Sequence, residues 1–425
     1  MSSYGQIRAG SLLLYDQTIE ATDVDLGDLQ FTNLSISGTA RLRTATTPTC
    51  IMSYHHAYSK EDLLTTESVG ANATSVLSTS DAHVALNVTG ANGRAVRQTL
   101  AYMPHAVGGG TIAYLGAVLS TASPSQPSNI RSRVGLFDDV LDTGTTGNGF
   151  FFELFGGVLS VVHRRSTAGS SQTDTTVARA SFSDDKLDGT GPQAFTFVPT
   201  VFNVFVVDMT FAGSGVVRMG VMSKNIIVYA HTFSFANSST PFVRYPTLPV
   251  RFEIQNTAAS SQTDTMRISS AAVWSEGTPI APRTASANTG STPILVSTTT
   301  RRPLLSIRLR TSTIRATLFL RTIEALVDRE CLIEVLHGGT LTGSSFSQAG
   351  TCSEIDTSAT AITGGRLIKA SFAERRTTID IDKQLENAIT ATTIAGSDSF
   401  ILTIAVSKID ANALAAIAAT WEELL

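Results

Sequence analysis

The chain has 425 residues, a formal net charge of −4 at pH 7 and 16% charged residues, below the roughly 25% typical of soluble domains. The near-neutral balance argues against a nucleic-acid partner, and the 42% hydrophobic content excludes a chain that is disordered throughout. Threonine (57 residues) and serine (46 residues) make up about a quarter of the chain. Threonine is favoured in strands and serine in turns, so the composition predicts an all-β protein.

Residues 1–50 hold few apolar residues, which alternate weakly between Leu26 and Ile36. We predict an N-terminal arm that anchors the protein, or strands that complete a sandwich. No basic segment precedes the short apolar run Leu12–Tyr15, and no stretch approaches the ~18 apolar residues of a membrane span. We therefore expect a protein made in the cytosol, with no membrane partner.

Residues 51–276 are predicted to form a lectin-like β-sandwich domain. Up to residue 95 the pattern combines a helical turn near Ser59–Leu64 with polar loop, and strand patterns follow. A hairpin is predicted over Gly149–Arg165, because its central Gly-Gly pair suits a tight turn between strands. Alternation places Phe150 and Phe152 on one face of this hairpin and Phe151 on the other. Further strands are predicted at residues 112–119, 201–209, 216–222, 226–233 and 250–254.

Residues 277–293 hold three prolines and one charged residue, which predicts a linker. Beyond it, residues 294–425 are predicted to form a C-terminal β-sandwich domain, with strands at 304–309, 314–320, 331–336, 366–372 and 400–407. The alanine-rich end, Ala411–Leu425, is predicted to form a short helix. The predicted fold class is thus all-β: two β-sandwich domains of the jelly-roll or lectin-like kind, with an N-terminal extended segment.

No catalytic, cofactor-binding or metal-ligating residues are predicted. His55 and His56 lack a third and fourth ligand at zinc-site spacing. A group of aspartates near glycine-containing loops leaves three alternatives open: ordinary turns, a calcium loop, or a glycosidase pair. These are Asp138, Asp139, Asp142, Asp184, Asp185 and Asp188. The three cysteines, Cys50, Cys331 and Cys352, are predicted to be buried thiols, with a Cys331–Cys352 bridge as the alternative.

Two further patterns have both a structural and a functional interpretation. The arginine-rich stretch 301–321 contains no acid, and indicates either a solvated face balanced by later acids or an acidic partner. The segment Thr167–Thr175 is nearly repeated as Thr257–Thr265. Two similar hairpin turns are the favoured explanation, and a pair of polar loops meeting a partner on one rim is the alternative.

Several blocks resemble a family of virion structural proteins of tailed bacteriophages and large DNA viruses. They include Arg131–Asp139, Asn148–Leu154, Leu159–Arg165, Leu336–Phe346 and, as the most specific, Asp185–Pro192 (DKLDGTGP). The resemblance covers roughly residues 95–425. It departs from the family at the insertion Val140–Gly147.

The resemblance implies a non-enzymatic virion structural protein: a minor capsid, spike, fibre or tail-associated component that acts in particle assembly or host attachment. Other virion proteins would be its partners, and its location would be the virion, after synthesis in the host cytoplasm. We expect a homo-oligomer, with a trimer as the first guess, docked through residues 1–50. The alternative is a carbohydrate-binding adhesin that recognises a host glycan. A glycan hydrolase on the same fold is a third hypothesis.

Overall fold

The computed structural model describes residues 49–139, 146–166, 172–276, 282–394, 396 and 398–424. Across these ranges the chain forms 28 β-strands and three 3₁₀ turns (Arg179–Ser181, Thr311–Thr313 and Leu385–Asn387), with no α-helix. The predicted all-β class is confirmed. Apart from Thr49 and Cys50, the predicted N-terminal arm lies outside the described residues.

The first sandwich pairs an eight-stranded with a seven-stranded antiparallel sheet. The eight-stranded sheet contains β1 (Thr49–His55), β3 (Ala73–Ser78), β4 (His83–Val88), β6 (Gly110–Val118), β11 (Asn203–Phe211), β12 (Gly215–Ser223), β13 (Ile226–Ser234) and β15 (Asp264–Ser275). The seven-stranded sheet contains β2 (Thr65–Val69), β5 (Arg94–Thr99), β7 (Ile130–Phe137), β8 (Gly149–Phe155), β9 (Val158–Arg165), β10 (Thr173–Ala178) and β14 (Val250–Asn256). Their orders are β13-β12-β11-β6-β15-β4-β3, with β1 also on β15, and β10-β9-β8-β7-β14-β5-β2.

The β8–β9 hairpin has the predicted form and lies in the core of this sandwich. Gly156 and Gly157 adopt φ of 57° and 85°, the left-handed region that a tight hairpin turn requires and glycine tolerates. Phe150 and Phe152 are fully buried between the two sheets. Phe151 is fully buried on the opposite face of the hairpin, in a small cluster with Phe137 and Val162.

The second sandwich has its own hydrophobic core and three sheets. Its five-stranded sheet holds β16 (Arg283–Asn288), β17 (Ile294–Val296), β19 (Thr317–Val327), β26 (Arg376–Asp380) and β28 (Ala413–Leu424). Its six-stranded sheet holds β18 (Arg302–Leu309), β20 (Cys331–His337), β22 (Ser347–Gln348), β23 (Ser353–Asp356), β25 (Arg366–Ala373) and β27 (Leu402–Lys408). The short strands β21 (Thr340–Thr342) and β24 (Ala361–Thr363) pair with each other.

The predicted C-terminal helix is wrong, because residues 413–424 form β28. Every second side chain of this strand faces the core: Ala413, Ala415, Ile417, Ala419 and Trp421. The spacing of Leu414, Ile417 and Trp421 suits a helix, but Leu414 is 41% exposed in the strand. Pairing with β16, β17 and β19 outweighs the helix propensity of alanine.

The structure also differs from the sequence prediction in two segments that were expected to be irregular and at one cysteine that was expected to be buried. Residues 51–95, predicted as a turn and polar loop, contribute to five strands, because short alternating runs there pair with distant strands. Within the predicted linker 277–293, Arg283–Asn288 forms β16 on β28. All three cysteines are free thiols, but Cys50 is exposed rather than buried.

An ion pair connects the two sandwiches. The Nε of Arg315, just before β19, lies 2.6 Å from Oδ2 of Asp138, just after β7. Asp138 is fully buried, and its Oδ1 accepts the backbone N–H of Asn148 at 2.8 Å. The Arg315 guanidinium also lies 4.3 Å from the centre of the Tyr245 ring. A residue of each sandwich therefore forms part of one buried polar contact.

Candidate functional site

A polar cleft of about 550 Å³ opens at one end of the eight-stranded sheet, where β3, β4 and β15 meet the loop after β6. Its lining combines five threonines, one amide residue, one acidic residue and two small apolar residues: Thr74, Thr89, Thr121, Thr263, Thr265, Asn87, Asp264, Val88 and Ala122. We name it the threonine cleft. Its volume is in the range of small-ligand pockets.

Asp264, the first residue of β15, is held in place by three hydrogen bonds. Its Oδ2 accepts the Ser120 hydroxyl at 2.6 Å. Its Oδ1 accepts the backbone N–H groups of Thr121 at 3.1 Å and Thr265 at 2.7 Å. The side chain is 6% exposed, so a single carboxylate fixes the loop after β6 against β15 and so fixes one wall of the cleft.

Asn87 forms the middle of a row across three strands. It pairs in register with Thr74 on one side and Thr265 on the other. The Thr265 hydroxyl donates to Asn87 Oδ1 at 2.7 Å, and Asn87 Nδ2 donates to Thr74 Oγ1 at 3.0 Å. These two bonds set the orientation of the amide. The row keeps further donor and acceptor capacity on its hydroxyls and amide, which a ligand in the cleft can use.

The outer face of the seven-stranded sheet is a second cluster of functional groups. Arg133 Nε lies 2.8 Å from Glu153 Oε2, and Arg251 Nη2 lies 2.9 Å from Glu253 Oε2. Burial acts to raise the pKa of Glu253, but the arginines around it, Arg251 first, hold that pKa well below its ordinary value. A glycosidase general acid needs a raised pKa, so Glu253 does not suit that role. The cluster is a structural ion-pair network.

The candidate histidines are not brought together by the structure. His55 is exposed and His56 is fully buried on the opposite side of β1. Burial and the nearby Arg97 lower the pKa of His56 to about 4, so the ring is neutral at pH 7. Within the described ranges, no group of three or more His, Cys, Asp or Glu residues could hold a metal ion.

Asp142 lies outside the described residues. The other candidate aspartates bond to different parts of the chain rather than to one another. Asp138 pairs with Arg315, and Asp139 lies 3.8 Å from Arg94. The others accept hydrogen bonds from nearby groups: Asp184 from Thr232 Oγ1, Asp185 from the N–H of Leu187, and Asp188 from the N–H of Thr190. Ordinary turn and ion-pair contacts therefore account for the described members of the group.

The arginine-rich stretch 301–321 is largely paired within the chain. Arg301 makes a double contact with Glu334 at 2.9–3.0 Å, and Arg308 does so with Glu354. Arg321 lies 3.5 Å from Glu422. These contacts favour the interpretation of a face balanced by acids over that of an acidic partner.

The two copies of the repeated segment have different environments. In the first, residues 167–171 lie outside the described residues, and Asp174 makes a double contact with Arg164 on β10 and β9. The second ends in the threonine cleft. The first segment follows β9, whose Arg164 pairs with Gly149 at one end of the seven-stranded sheet. The second segment follows β14, whose Asn256 pairs with Ile130 at the opposite end of that sheet. The alternative of one shared rim is therefore wrong.

The sequence pattern did not reveal the threonine cleft. Its lining comes from three segments, around residues 74–89, 121–122 and 263–265, that only the fold brings together. Each threonine is one of 57 in the chain, so residue type alone carries no signal. The one usable signal was the repeated Gln-Thr-Asp-Thr ending at Thr265, which supplies Asp264 and its two neighbours.

No family model and no curated protein matches the sequence. Solved structures of similar fold include a β-glucanase of Bacillus licheniformis (10% identity, 52% of this chain and 97% of that chain, TM-score 0.35). An endo-1,3-β-glucanase from Streptomyces sioyaensis matches at 11% identity over 55% and 98% of the two chains, with a TM-score of 0.36. A legume lectin-like domain from Entamoeba histolytica matches at 9% identity over 52% and 96%, with a TM-score of 0.32.

At such identities and TM-scores, this likeness does not extend to a ligand or a reaction. The glucanases in the group nevertheless contradict the sequence-based prediction that the protein is not an enzyme, and that prediction is withdrawn. Across the described residues, no helix is long and apolar enough to cross a membrane.

Proposed function

We propose that this protein binds a saccharide in the threonine cleft. The observation that carries the proposal is the hydrogen-bonded row Thr74–Asn87–Thr265 beside the carboxylate of Asp264. A sugar presents hydroxyl groups, each of which donates one hydrogen bond and accepts others. The amide oxygen of Asn87 accepts such bonds, its N–H donates, and threonine hydroxyls do both, while the buried Asp264 holds the wall of the cleft in place.

The fixed geometry of the row supports this proposal. Asn87 is held from both sides and Asp264 by three donors, so these side chains lose little freedom when a ligand arrives. A site whose polar groups are held in advance avoids part of the entropic cost of association. Ala122 adds a small apolar surface for the C–H groups of a sugar ring, whereas the side chain of Val88 packs in the core of the sandwich.

The test is a glycan array followed by titration calorimetry on the best ligand. Asn87→Ala removes both amide contacts, and Thr74→Val replaces one hydroxyl by a methyl group of similar size. Loss of one neutral hydrogen bond is worth about 0.5–1.5 kcal/mol, so each variant is expected to weaken binding about 2- to 10-fold.

Thr176→Val is the matched control. Thr176 is an exposed strand threonine on β10, at the edge of the other sheet, and its substitution is expected to leave the affinity unchanged. If the array shows no binding, or if Asn87→Ala and Thr176→Val bind equally well, the saccharide proposal is wrong.

Assembly into a virus particle stays a prediction of the sequence resemblance, as do the homo-oligomeric state and the virion location. In the structure, the block Asp185–Pro192 bonds within the chain: Asp185 Oδ1 accepts the N–H of the fully buried Leu187, and Asp188 Oδ1 accepts that of Thr190. The block therefore forms a folded turn, and this turn is one structural reason for the amino-acid sequence of the block. Detection of the protein in purified virions is the direct test.

A further inference from the structure

The threonine cleft continues into an exposed strip on the outer face of β3, β4 and β15. In each strand, side chains two residues apart point to the same face. The row after Thr74–Asn87–Thr265 on that face is therefore Val76, Ala85 and Arg267, in register across the same three strands. It lies about 6–7 Å from the first row.

This second row presents a cation and apolar surface. Arg267 is exposed, and among the described residues its side chain has no hydrogen-bond or ion-pair partner. Val76 is 53% exposed. Many other arginines of the chain are paired with carboxylates, as Arg301 is with Glu334, so Arg267 has its charge available to a ligand.

A third row ends the strip with an aromatic ring. His83 pairs in register with Ser78, and its ring centre lies 6.3 Å from that of Phe202. Phe202 is 47% exposed and precedes β11. From Thr74 to Ser78 the strip covers about 13 Å along the strand, which is longer than one sugar ring.

We propose that the threonine cleft and this strip together bind one elongated acidic saccharide, with a carboxylate group paired to Arg267 and a ring against Phe202. The inference rests on the proposed saccharide-binding function and names its ligand class. β4 and β15 are inner strands of the sheet, so their backbone groups are already paired and a peptide cannot add to them as a further strand. Over these two strands recognition must come from side chains, and only β3, the edge strand, keeps unpaired backbone groups.

The experiment compares an acidic saccharide with its own neutral form. The best uronic-acid oligosaccharide from a glycan array is titrated against the protein at low salt, beside its methyl ester, which has the same skeleton without the charge. We expect the acid to bind about 5-fold tighter, because an exposed arginine–carboxylate contact is modest. This preference should shrink in 0.5 M salt.

The variant Arg267→Gln should abolish the preference and leave the affinity for the ester unchanged. Arg329→Gln removes the same charge from an exposed position of the second sandwich and should keep the preference. Phe202→Ala should weaken acid and ester equally, whereas Phe372→Ala, at a residue 74% exposed on β25, should weaken neither.

The outcomes separate this inference from the proposed function. If saccharides bind and Asn87→Ala weakens them, but the acid and its ester bind equally or Arg267→Gln keeps the preference, the acidic-ligand inference is overturned and saccharide binding stands. If no saccharide binds, both fail.

Discussion

The buried ion pair between the two sandwiches supports a quantitative prediction. Replacing Arg315 by Met leaves the fully buried carboxylate of Asp138 without its cation. Breaking a buried pair in this way costs about 3–5 kcal/mol, because the remaining charge is uncompensated. For a domain of this size, that corresponds to a fall in Tm of roughly 6 to 20 °C.

The matched control is the exposed pair of Arg376 and Glu324, whose nitrogen and oxygen lie 3.2 Å apart but whose side chains are 72% and 51% exposed. Solvent screens such a pair, so Arg376→Met is expected to cost less than about 1 kcal/mol. Adding Asp138→Asn to Arg315→Met should recover part of the loss, because it removes the buried charge.

Calorimetry gives the Tm values, and fluorescence reports each sandwich separately, because Trp274 lies on β15 and Trp421 on β28. Single-tryptophan variants then show which sandwich loses stability. If Arg315→Met lowers the Tm no more than Arg376→Met does, the reasoning about this contact is wrong.

Phe152→Ala should cost about 3–5 kcal/mol in urea unfolding because this ring is fully buried, whereas Phe372→Ala, at an exposed ring, should cost almost nothing. Lowering the pH should destabilise the protein, because the pKa of His56 is about 4 in the folded protein and about 6.5 in the unfolded chain. Between these values the unfolded state binds more protons, so stability falls as the pH is lowered from about 6.5 to 4. His56→Gln should flatten that part of the stability curve, and an unchanged curve would contradict the prediction. A thiol reagent should label Cys50 alone in the folded protein, since burial raises the pKa of the Cys352 thiol to about 12; rapid labelling of all three thiols would contradict this.

The sequence allowed the fold class and the β8–β9 hairpin to be predicted, because strand alternation and a Gly-Gly turn are local signals. The C-terminal strand was not predictable in the same way. Its alanines favour a helix in isolation, and only the neighbours on both sides of β28 make it a strand.

The candidate site was less accessible still. Thr74, Asn87 and Thr265 lie far apart in the chain and become neighbours through strand register, which a single sequence does not display. The polar face of β3 and β4 alternates as the solvent side of any strand does, so nothing in the sequence distinguishes the proposed binding residues from ordinary surface.

The strand order of the first sandwich has a consequence for how the protein folds. Strand β15 pairs with β1, β4 and β6, and β14 pairs with β5. Strands before residue 120 therefore cannot complete their pairing until the strands beyond residue 249 are in place. Closing such long loops before any contact forms makes folding slow, on the scale of milliseconds to seconds or longer. Until β14 and β15 dock, β4, β5 and β6 have open edges that can pair with another chain. We therefore expect refolding yields to fall as the protein concentration rises.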